Sequence, residues 1–406
     1  MPGFVTHLEA AIDGTHLRAD CVQTLHQDRP LWVRYDLESV RRAISPDGLA
    51  ARPPTMWRYR ELLPVPEGVK PVTLGEGMTP VLPAPRLGAR LGLENLWIKD
   101  ESQLPTGSFK SRGLSMAVTM AKHFGLRRLA IPTAGNAGGA LAAYAARAGL
   151  EAFVFMPRDT PVVNQIECVL AGARVYLVDG LISDCGAVVR NGKDAVGWFD
   201  CSTLKEPYRL EGKKTMGLEL AEQFDWTLPD VIVYPTGGGT GLIGMWKAFQ
   251  ELAELGWLRS DRMPRMISVQ SDGCAPIVRA FEAGQRFAET WDNPHTCASG
   301  LRVPGAVGDF MILDAIRESG GCAVAVPEDR IVQAMHMAIG AEGISLCPEA
   351  ATGVLAVEAL VRDGRIEPHE RVVIFNTGSA CKYVEAVPLD LPTIPEPANV
   401  DYARFA

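Results

Sequence analysis

The sequence predicts an α/β protein of two doubly wound units, each a parallel sheet with helices on both faces, with a functional site between them. Three observations carry that expectation. Short β-branched runs alternate with longer helical patterns in two separate series, the mark of parallel sheets covered by helices. The 406 residues are 47% apolar, ample for about two or three packed cores. Glycine-rich turns stand where strand patterns end and helical ones begin, the place where open α/β sheets collect ligands.

The first series starts with Arg127–Pro132, a strand entering a turn, and the alanine-rich helical stretch Ala137–Ala148. Phe153–Met156 reads as a strand, Val162–Ala171 as a helix, Arg174–Val178 as a strand and Gly180–Ala195 as helical. The second series opens with the strand Val231–Tyr234 and the helix Gly241–Gly256, then Met266–Gln270 (strand) and Pro276–Ala283 (helix). Asp309–Ser319 (helix), Cys322–Val326 (strand), Asp329–Glu342 and Ala350–Arg362 (helices) and Arg371–Phe375 (strand) complete it. Residues 1–70 are rich in Pro and Arg and show no alternation, so they read as an N-terminal extension packed on the large unit. That unit comprises 71–113 and 209–406, and the small unit 114–208.

Composition excludes several classes. Forty basic against 48 acidic residues give a net charge of −8, the wrong sign for a general nucleic-acid binder. The most apolar stretch, Ala137–Met156, is interrupted by Arg147 and Glu151, so no membrane span is expected. The first 20 residues lack a basic start and an apolar block, so no signal peptide is expected. Cys21, Cys168, Cys185, Cys201, Cys274, Cys297, Cys322, Cys347 and Cys381 form no CxxC pair and read as reduced thiols of a cytoplasmic protein.

Four turns carry chemistry. Val231–Pro235 runs into Thr236-Gly237-Gly238-Gly239-Thr240-Gly241 and then a helix. Consecutive glycines there let backbone N–H groups converge at a positive dipole end, a phosphate cradle. The same stretch satisfies GxGxxG from Gly239 to Gly244, with Asp272 as a candidate ribose-binding acid, so a nicotinamide-dependent oxidoreductase is a rival reading. Lys110 follows Pro105-Thr106-Gly107-Ser108-Phe109 and precedes the helical pattern Leu114–Phe124. A helix start disfavours a cation, which promotes the neutral amine that attacks a carbonyl. Thr133-Ala134-Gly135-Asn136-Ala137 joins a strand to a helix, where amides can hold a carboxylate and Asn136 can bond a ring oxygen. Near the end, Asn376-Thr377-Gly378 places a hydroxyl at a strand's carboxyl end.

A carbonyl-trapping lysine, a phosphate cradle, an asparagine and a terminal hydroxyl are together the parts of a pyridoxal-phosphate enzyme. The chain resembles the fold type II pyridoxal-phosphate enzymes, of the tryptophan synthase β-like class, and most closely the plant and short bacterial threonine synthases. The likeness runs through Met56–Pro64, Leu74–Pro80, Pro105–Gly113, Thr133–Ala137, Arg209–Thr215, Glu342-Gly343, Pro348-Glu349-Ala350 and Asn376-Thr377-Gly378. The resemblance implies that Lys110 carries pyridoxal 5'-phosphate as a Schiff base and moves protons, and that Asn136 bonds its phenolic oxygen. It implies further that Gly237, Gly238, Gly239, Thr240 and Gly241 hold the phosphate and that Thr377 faces the ring nitrogen. A small amino-acid substrate is expected, conversion of O-phospho-L-homoserine and water to L-threonine and phosphate is the implied reaction, and a homodimer follows by analogy.

The chain also departs from that family. Ser111 stands where an aspartate is common, and Ala134 and Ala137 replace the hydroxyls of the asparagine turn. Cys201-Ser202-Thr203-Leu204-Lys205-Glu206-Pro207-Tyr208-Arg209 replaces an Asn-Ser-x-Asn-Pro-x-Arg segment. Candidate substrate contacts are therefore Thr133, Ala137, Ser202, Lys205 and Arg209, with Arg209 as an anion clamp. Glu206 adds a negative charge that must point away from a phosphate or pair with Lys205. These departures keep open a β-eliminating dehydratase or ammonia-lyase acting on threonine, serine or a related hydroxy-amino acid. Some relatives carry a cysteine-rich ribbon before their Tyr-Asp-Leu; here Tyr35-Asp36-Leu37 has only Cys21 nearby, so no metal is expected.

Overall fold

A computed structural model describes residues 3–387, 389 and 391–394. In chain order its elements are β1 (Val5–Ala10), β2 (His16–Leu17), β3 (Leu31–Tyr35), α1 (Leu37–Ala43), α2 (Pro46–Ala50), β4 (Val81–Pro83), α3 (Pro85–Leu91) and β5 (Leu96–Asp100). The chain continues with α4 (Lys110–His123), β6 (Arg128–Pro132), α5 (Asn136–Ala148), β7 (Glu151–Pro157), α6 (Val162–Leu170), β8 (Arg174–Val178), α7 (Ile182–Val196) and β9 (Phe199–Asp200). Then follow α8 (Tyr208–Gln223), β10 (Val231–Pro235), α9 (Thr240–Leu255), β11 (Arg265–Ser271), α10 (Pro276–Glu282), α11 (Asp309–Glu318), β12 (Cys322–Val326), α12 (Ile331–Glu342), α13 (Pro348–Arg362) and β13 (Val372–Asn376).

Two of the three sheets are the expected α/β kind. One has the order β12-β11-β10-β13-β5-β4, the other β8-β7-β6-β9. β10 and β13 lie at the centre of the larger sheet with every residue buried, which is why both read as unbroken apolar runs. The smaller sheet is parallel throughout. The larger one differs from expectation at one edge, where β4 runs antiparallel to β5. Its three residues end in Pro83, which an edge strand tolerates. No helix among the described residues is long and apolar enough to cross a membrane.

Residues 3–70 hold strands and helices that showed no alternation in the sequence. β1 pairs antiparallel with β2 and β3 to form a three-stranded sheet, followed by α1, α2 and a 3-10 stretch Met56–Leu62. Tyr35 at the end of β3 donates to Glu211 of α8 at 2.7 Å, and Arg58 pairs with Glu222 at 2.8 Å, so this segment is bonded to the body of the molecule.

The sequence pattern concealed α8. Its residues Tyr208 to Ala221 are all buried, including Arg209, Glu211, Lys213, Lys214 and Glu219, so it shows no polar face from which a helical period could be read. The charges are absorbed internally. Arg112 of α4 forks onto Glu101 (2.6 and 2.9 Å) and onto Glu219 (2.6 and 2.6 Å), and Lys99 of β5 completes the cluster at 3.2 Å from Glu219. Bidentate geometry of this kind fixes direction as well as distance. It locks the start of α4 against α8.

Candidate active site

Lys110 is the first residue of α4, four residues earlier than the helical pattern indicated. Its loop is zipped to the end of β13: Phe109 N donates to Thr377 O at 3.0 Å and Ser379 N to Gly107 O at 3.1 Å. Ser111, where a carboxylate was absent, closes the same loop through Thr106, Oγ to Oγ1 2.7 Å. Two residues on, the Arg112 fork anchors the helix. The Lys110 amine stands 4.1 Å from the centre of the Phe109 ring. Burial and the Arg209 guanidinium push it down to about 7, against Glu349 and Cys347. A lysine so placed is neutral often enough at physiological pH to act as a nucleophile.

Around Lys110 the structure assembles a linked set of polar groups. Asn136, the first residue of α5, donates to the Tyr383 hydroxyl at 3.1 Å and accepts from Asn164 at 2.9 Å. Tyr383 in turn donates to Glu349 at 2.8 Å, and Glu349, in the first turn of α13, also accepts from Gly300 N at 2.8 Å. An amide nitrogen carries two protons, so Asn136 keeps one beyond that given to Tyr383. Thr377 directly follows β13, with its hydroxyl 3.6 Å from the Cys347 thiol, whose ionisation burial pushes well up. Glu349, Cys347, Tyr383 and Asn164 were not picked as site residues from the sequence. Only Glu349 lay in a quoted motif; the rest are buried side chains that the fold brings together.

The glycine turn divides between two duties. Gly239 adopts φ +73° immediately before α9, which begins at Thr240 without a side-chain cap. A side chain on Gly237 would lie 2.3 Å from Gly300 O, and one on Gly238 would lie 2.8 Å from Thr203, so the loop lies against both the Glu349 neighbourhood and the 201–209 segment. Gly241 and Gly244 serve packing: a Cβ there would meet the Tyr234 hydroxyl at 1.9 Å and Lys214 N at 2.9 Å. The later glycines of GxGxxG thus let α9 approach Tyr234 and α8. Asp272, the candidate ribose acid, caps the amide of Glu328 at 3.0 Å.

The 201–209 segment carries the site's permanent cation. Arg209 is buried and donates from Nη1 to Cys201 O at 2.7 Å. Glu206 turns onto its own helix, accepting from Tyr208 N at 2.7 Å and Arg209 N at 3.2 Å. Burial raises its carboxyl to about 7 against the pull of Arg209. Lys205 pairs with Asp200 at 3.2 Å instead of with Glu206, and the Ser202 hydroxyl bonds the same Asp200. Thr133 uses its hydroxyl within its turn, donating to Gly135 O at 2.8 Å, while Ala137 packs into the core of the smaller sheet. Of the five candidate substrate contacts, Arg209 alone presents a charged group not neutralised by a side chain in direct contact with it.

The donor set fits an anionic aromatic cofactor. The donors Ser108 Oγ, Ser299 Oγ and Arg209 Nε are buried without a hydrogen-bond partner among the described residues, and Glu349 Oε2 is left as an unpartnered acceptor beside them. α4, α5 and α9 all begin without side-chain caps, leaving helix amides for anionic oxygens. A cavity of about 380 Å³ lined by Thr160, Thr296, Ser299 and Tyr383 adjoins the set, with the Arg302–Asp159 pair (2.7 Å) at its lining.

Comparison with known proteins agrees. The family described as pyridoxal-phosphate dependent enzyme matches residues 72–378. The chain is 36% identical to the threonine synthase of Methanosarcina acetivorans, over 93% of this chain and 92% of that one. It is 34% identical to the threonine synthase of Methanocaldococcus jannaschii, over 88% and 87%. Among solved structures, Escherichia coli diaminopropionate ammonia lyase superposes with a TM-score of 0.66 at 18% identity, covering 78% of this chain and 87% of that one. Maize serine racemase gives 0.64 at 23%, covering 75% and 88%; these two establish the shared fold.

Proposed function

Because this chain belongs to the pyridoxal-phosphate dependent enzyme family, as a carbon–oxygen lyase of the threonine synthase kind, we propose that it converts O-phospho-L-homoserine and water to L-threonine and phosphate. The observation that carries the substrate is Arg209. It is a buried guanidinium with an unpartnered Nε, close enough to depress the Lys110 amine. A buried cation with a spare donor is a receptor for a substrate anion, and a dianionic phosphate leaving group meets that need.

In this reading Lys110 holds pyridoxal phosphate through its amine. The uncapped start of α9 with Gly237, Gly238, Gly239, Thr240 and Gly241 receives the cofactor phosphate, Asn136 donates its remaining proton to the phenolic oxygen, and Thr377 faces the ring nitrogen. When bound, the cofactor supplies an electron sink for the substrate's α carbon. A hydroxyl facing the ring nitrogen leaves that sink modest, which suits a substrate with a good leaving group. Once released from the cofactor, the Lys110 amine takes and returns protons at the substrate's carbons. Arg209 binds the phosphate as its bond to the γ carbon breaks, and water adds at the β carbon. Residues 114–208 form the smaller unit that carries Asn136, and 71–113 with 209–406 the larger one that carries Lys110, Thr377 and the glycine loop; of that range 388, 390 and 395–406 lie outside the described residues.

One observation favours the β-eliminating dehydratase instead. Ser202 and Lys205 are both committed to Asp200, so neither reinforces Arg209 at a phosphate. A paired assay separates the two. The holoenzyme is given O-phosphohomoserine, following phosphate and threonine, and separately threonine or serine, following the 2-oxo acid. Equal phosphate and threonine support the synthase; keto acid without phosphate release overturns it.

A further inference from the structure

The three-stranded sheet carries a side-chain cluster that the proposed reaction does not use. β1 and β2 pair antiparallel with Glu9 directly opposite His16. Side chains two apart along a strand share a face, so His7 stands beside Glu9 on the face that His16 joins across the ladder. The imidazoles of His7 and His16 stack with centroids 3.8 Å apart. One ligand atom from each of His7, Glu9 and His16 lies within 4.8 Å of the others.

Two of the three groups are held from behind and free in front. His7 Nδ1 meets the Thr6 hydroxyl at 2.9 Å, while its Nε2 is shielded and without a hydrogen-bond partner among the described residues. Glu9 Oε1 accepts from Arg34 at 2.6 Å, and Oε2 points to His7 Nε2 at 3.8 Å. Outer contacts of this kind orient metal ligands.

We propose that His7, Glu9 and His16 form a binding site for one divalent transition-metal ion of the zinc, nickel or copper class. Two imidazoles with one carboxylate match these borderline ions and not magnesium or calcium, which take oxygen ligands. The Arg34 charge beside Glu9 makes the site weaker than a closed four-ligand centre, and a bound ion would clamp β2 to β1. The inference is independent of the reaction assigned above.

The test uses tag-free holoenzyme, freed of metal by a chelator and titrated with zinc(II) by calorimetry and cobalt(II) by visible absorption. One equivalent should bind, and His7→Ala and His16→Ala should each weaken binding at least about tenfold. Glu9→Gln should weaken it less, because an amide oxygen still ligates. Zinc should raise the melting temperature of the wild type and leave that of His16→Ala unchanged. Both histidines lie in the N-terminal sheet, on β1 and β2, and neither is fully buried, so cofactor absorbance and the metal-free melting temperature check that the variants fold. Absence of saturable binding overturns the proposal. So does equal affinity in the histidine variants, which would place the ion on the free cysteines.

Discussion

Lys213 donates from its buried amine to the carbonyl of Phe109, the residue immediately before Lys110. The Lys213 and Lys110 nitrogens stand 4.0 and 4.1 Å from the centre of the same Phe109 ring. Two charged amines this close, with Arg209 beside them, repel one another strongly. Burial, Lys110 and Arg209 push the Lys213 amine well down, so it is the neutral partner of the pair. Lys213→Met keeps the stem but deletes the donor and the competing base. Because Lys213 is the neutral partner, its removal takes away no charge, so the pH midpoint for the reaction of Lys110 with pyridoxal phosphate should stay in place while capture slows as the Phe109 carbonyl loses its donor. A midpoint that rises would show instead that Lys213 carries a charge beside Lys110.

The Lys110 amine itself sets a second expectation. Only its neutral form can attack the cofactor's carbonyl. With its proton affinity lowered to about 7 by burial and Arg209, capture of pyridoxal phosphate by the apoenzyme should be fast and flat above pH 7. Below that it should slow about tenfold per unit, as the protonated fraction grows. Stopped-flow absorbance measures this directly. A midpoint near the ordinary lysine value of 10.5 would contradict the burial argument. Lys110→Ala should abolish the chromophore altogether.

Arg209 is expected to separate substrate from cofactor. Arg209→Met removes a buried cation with an unpartnered donor, and charge-assisted bonds of that kind contribute roughly 1.5–3 kcal/mol each. KM for O-phosphohomoserine should rise about a hundredfold while the cofactor still binds. Turnover of an unphosphorylated hydroxy-amino acid, if any, should be spared. Equal loss with both substrates would move Arg209 from substrate binding to scaffolding.

How much of this was readable in the sequence differs by element. β10, the glycine turn and β13 were legible because a fully buried parallel strand is a plain apolar run ending in a loop with special backbone needs. Lys110, Asn136 and Thr377 stood out for the same reason, each at a strand or helix end. α8 was not legible, because Glu211, Lys213, Lys214 and Glu219 point into the interior and their partners lie on β5, α4 and α9. Tyr383 has no local pattern, and Glu349 stood in the Pro348-Glu349-Ala350 motif without a sign of its role; only the fold brings the two to within 2.8 Å. The commitments of Thr133, Ser202 and Lys205 to nearby acceptors were equally invisible, because spacing tells which residues are close but not which hydrogen bonds win.

Glu206 answers the question that its charge raised. Its oxygens cap the first amides of α8, and burial raises its carboxyl from the usual 4.5 to about 7. The folded state therefore binds the proton more tightly than the unfolded chain. The resulting stability is fully present below about pH 4.5 and is lost as pH rises through about 7. Gln accepts the same amide hydrogens and never ionises, so Glu206→Gln should gain on the wild type across that window, by up to about 3 kcal/mol at 1.4 kcal/mol per unit. Urea midpoints at pH 5 and pH 8 decide it. A difference between variant and wild type that does not change with pH would mean that the carboxyl titrates normally.

The charges buried between α8 and α9 make the sharpest stability test. Glu211 lies 2.7 Å from Lys214 and 2.9 Å from Lys247, and Glu251 lies 2.8 and 2.5 Å from the same two lysines. The Tyr35 hydroxyl caps Glu211 at 2.7 Å, and its ring faces both ammonium groups at 4.1 and 4.8 Å. Two cations and two anions balance only as a set. Lys247→Met leaves a surplus carboxylate where water cannot reach it, a change that costs about 3–5 kcal/mol. Adding Glu251→Leu removes that surplus and leaves Glu211 with Lys214. The double variant should therefore be more stable than Lys247→Met alone, although it has lost one more ion pair. Denaturant unfolding of the two single variants and the double variant measures the coupling. Additive losses would show instead that each pair acts independently, and that the link from Tyr35 to α8 and α9 rests on packing alone.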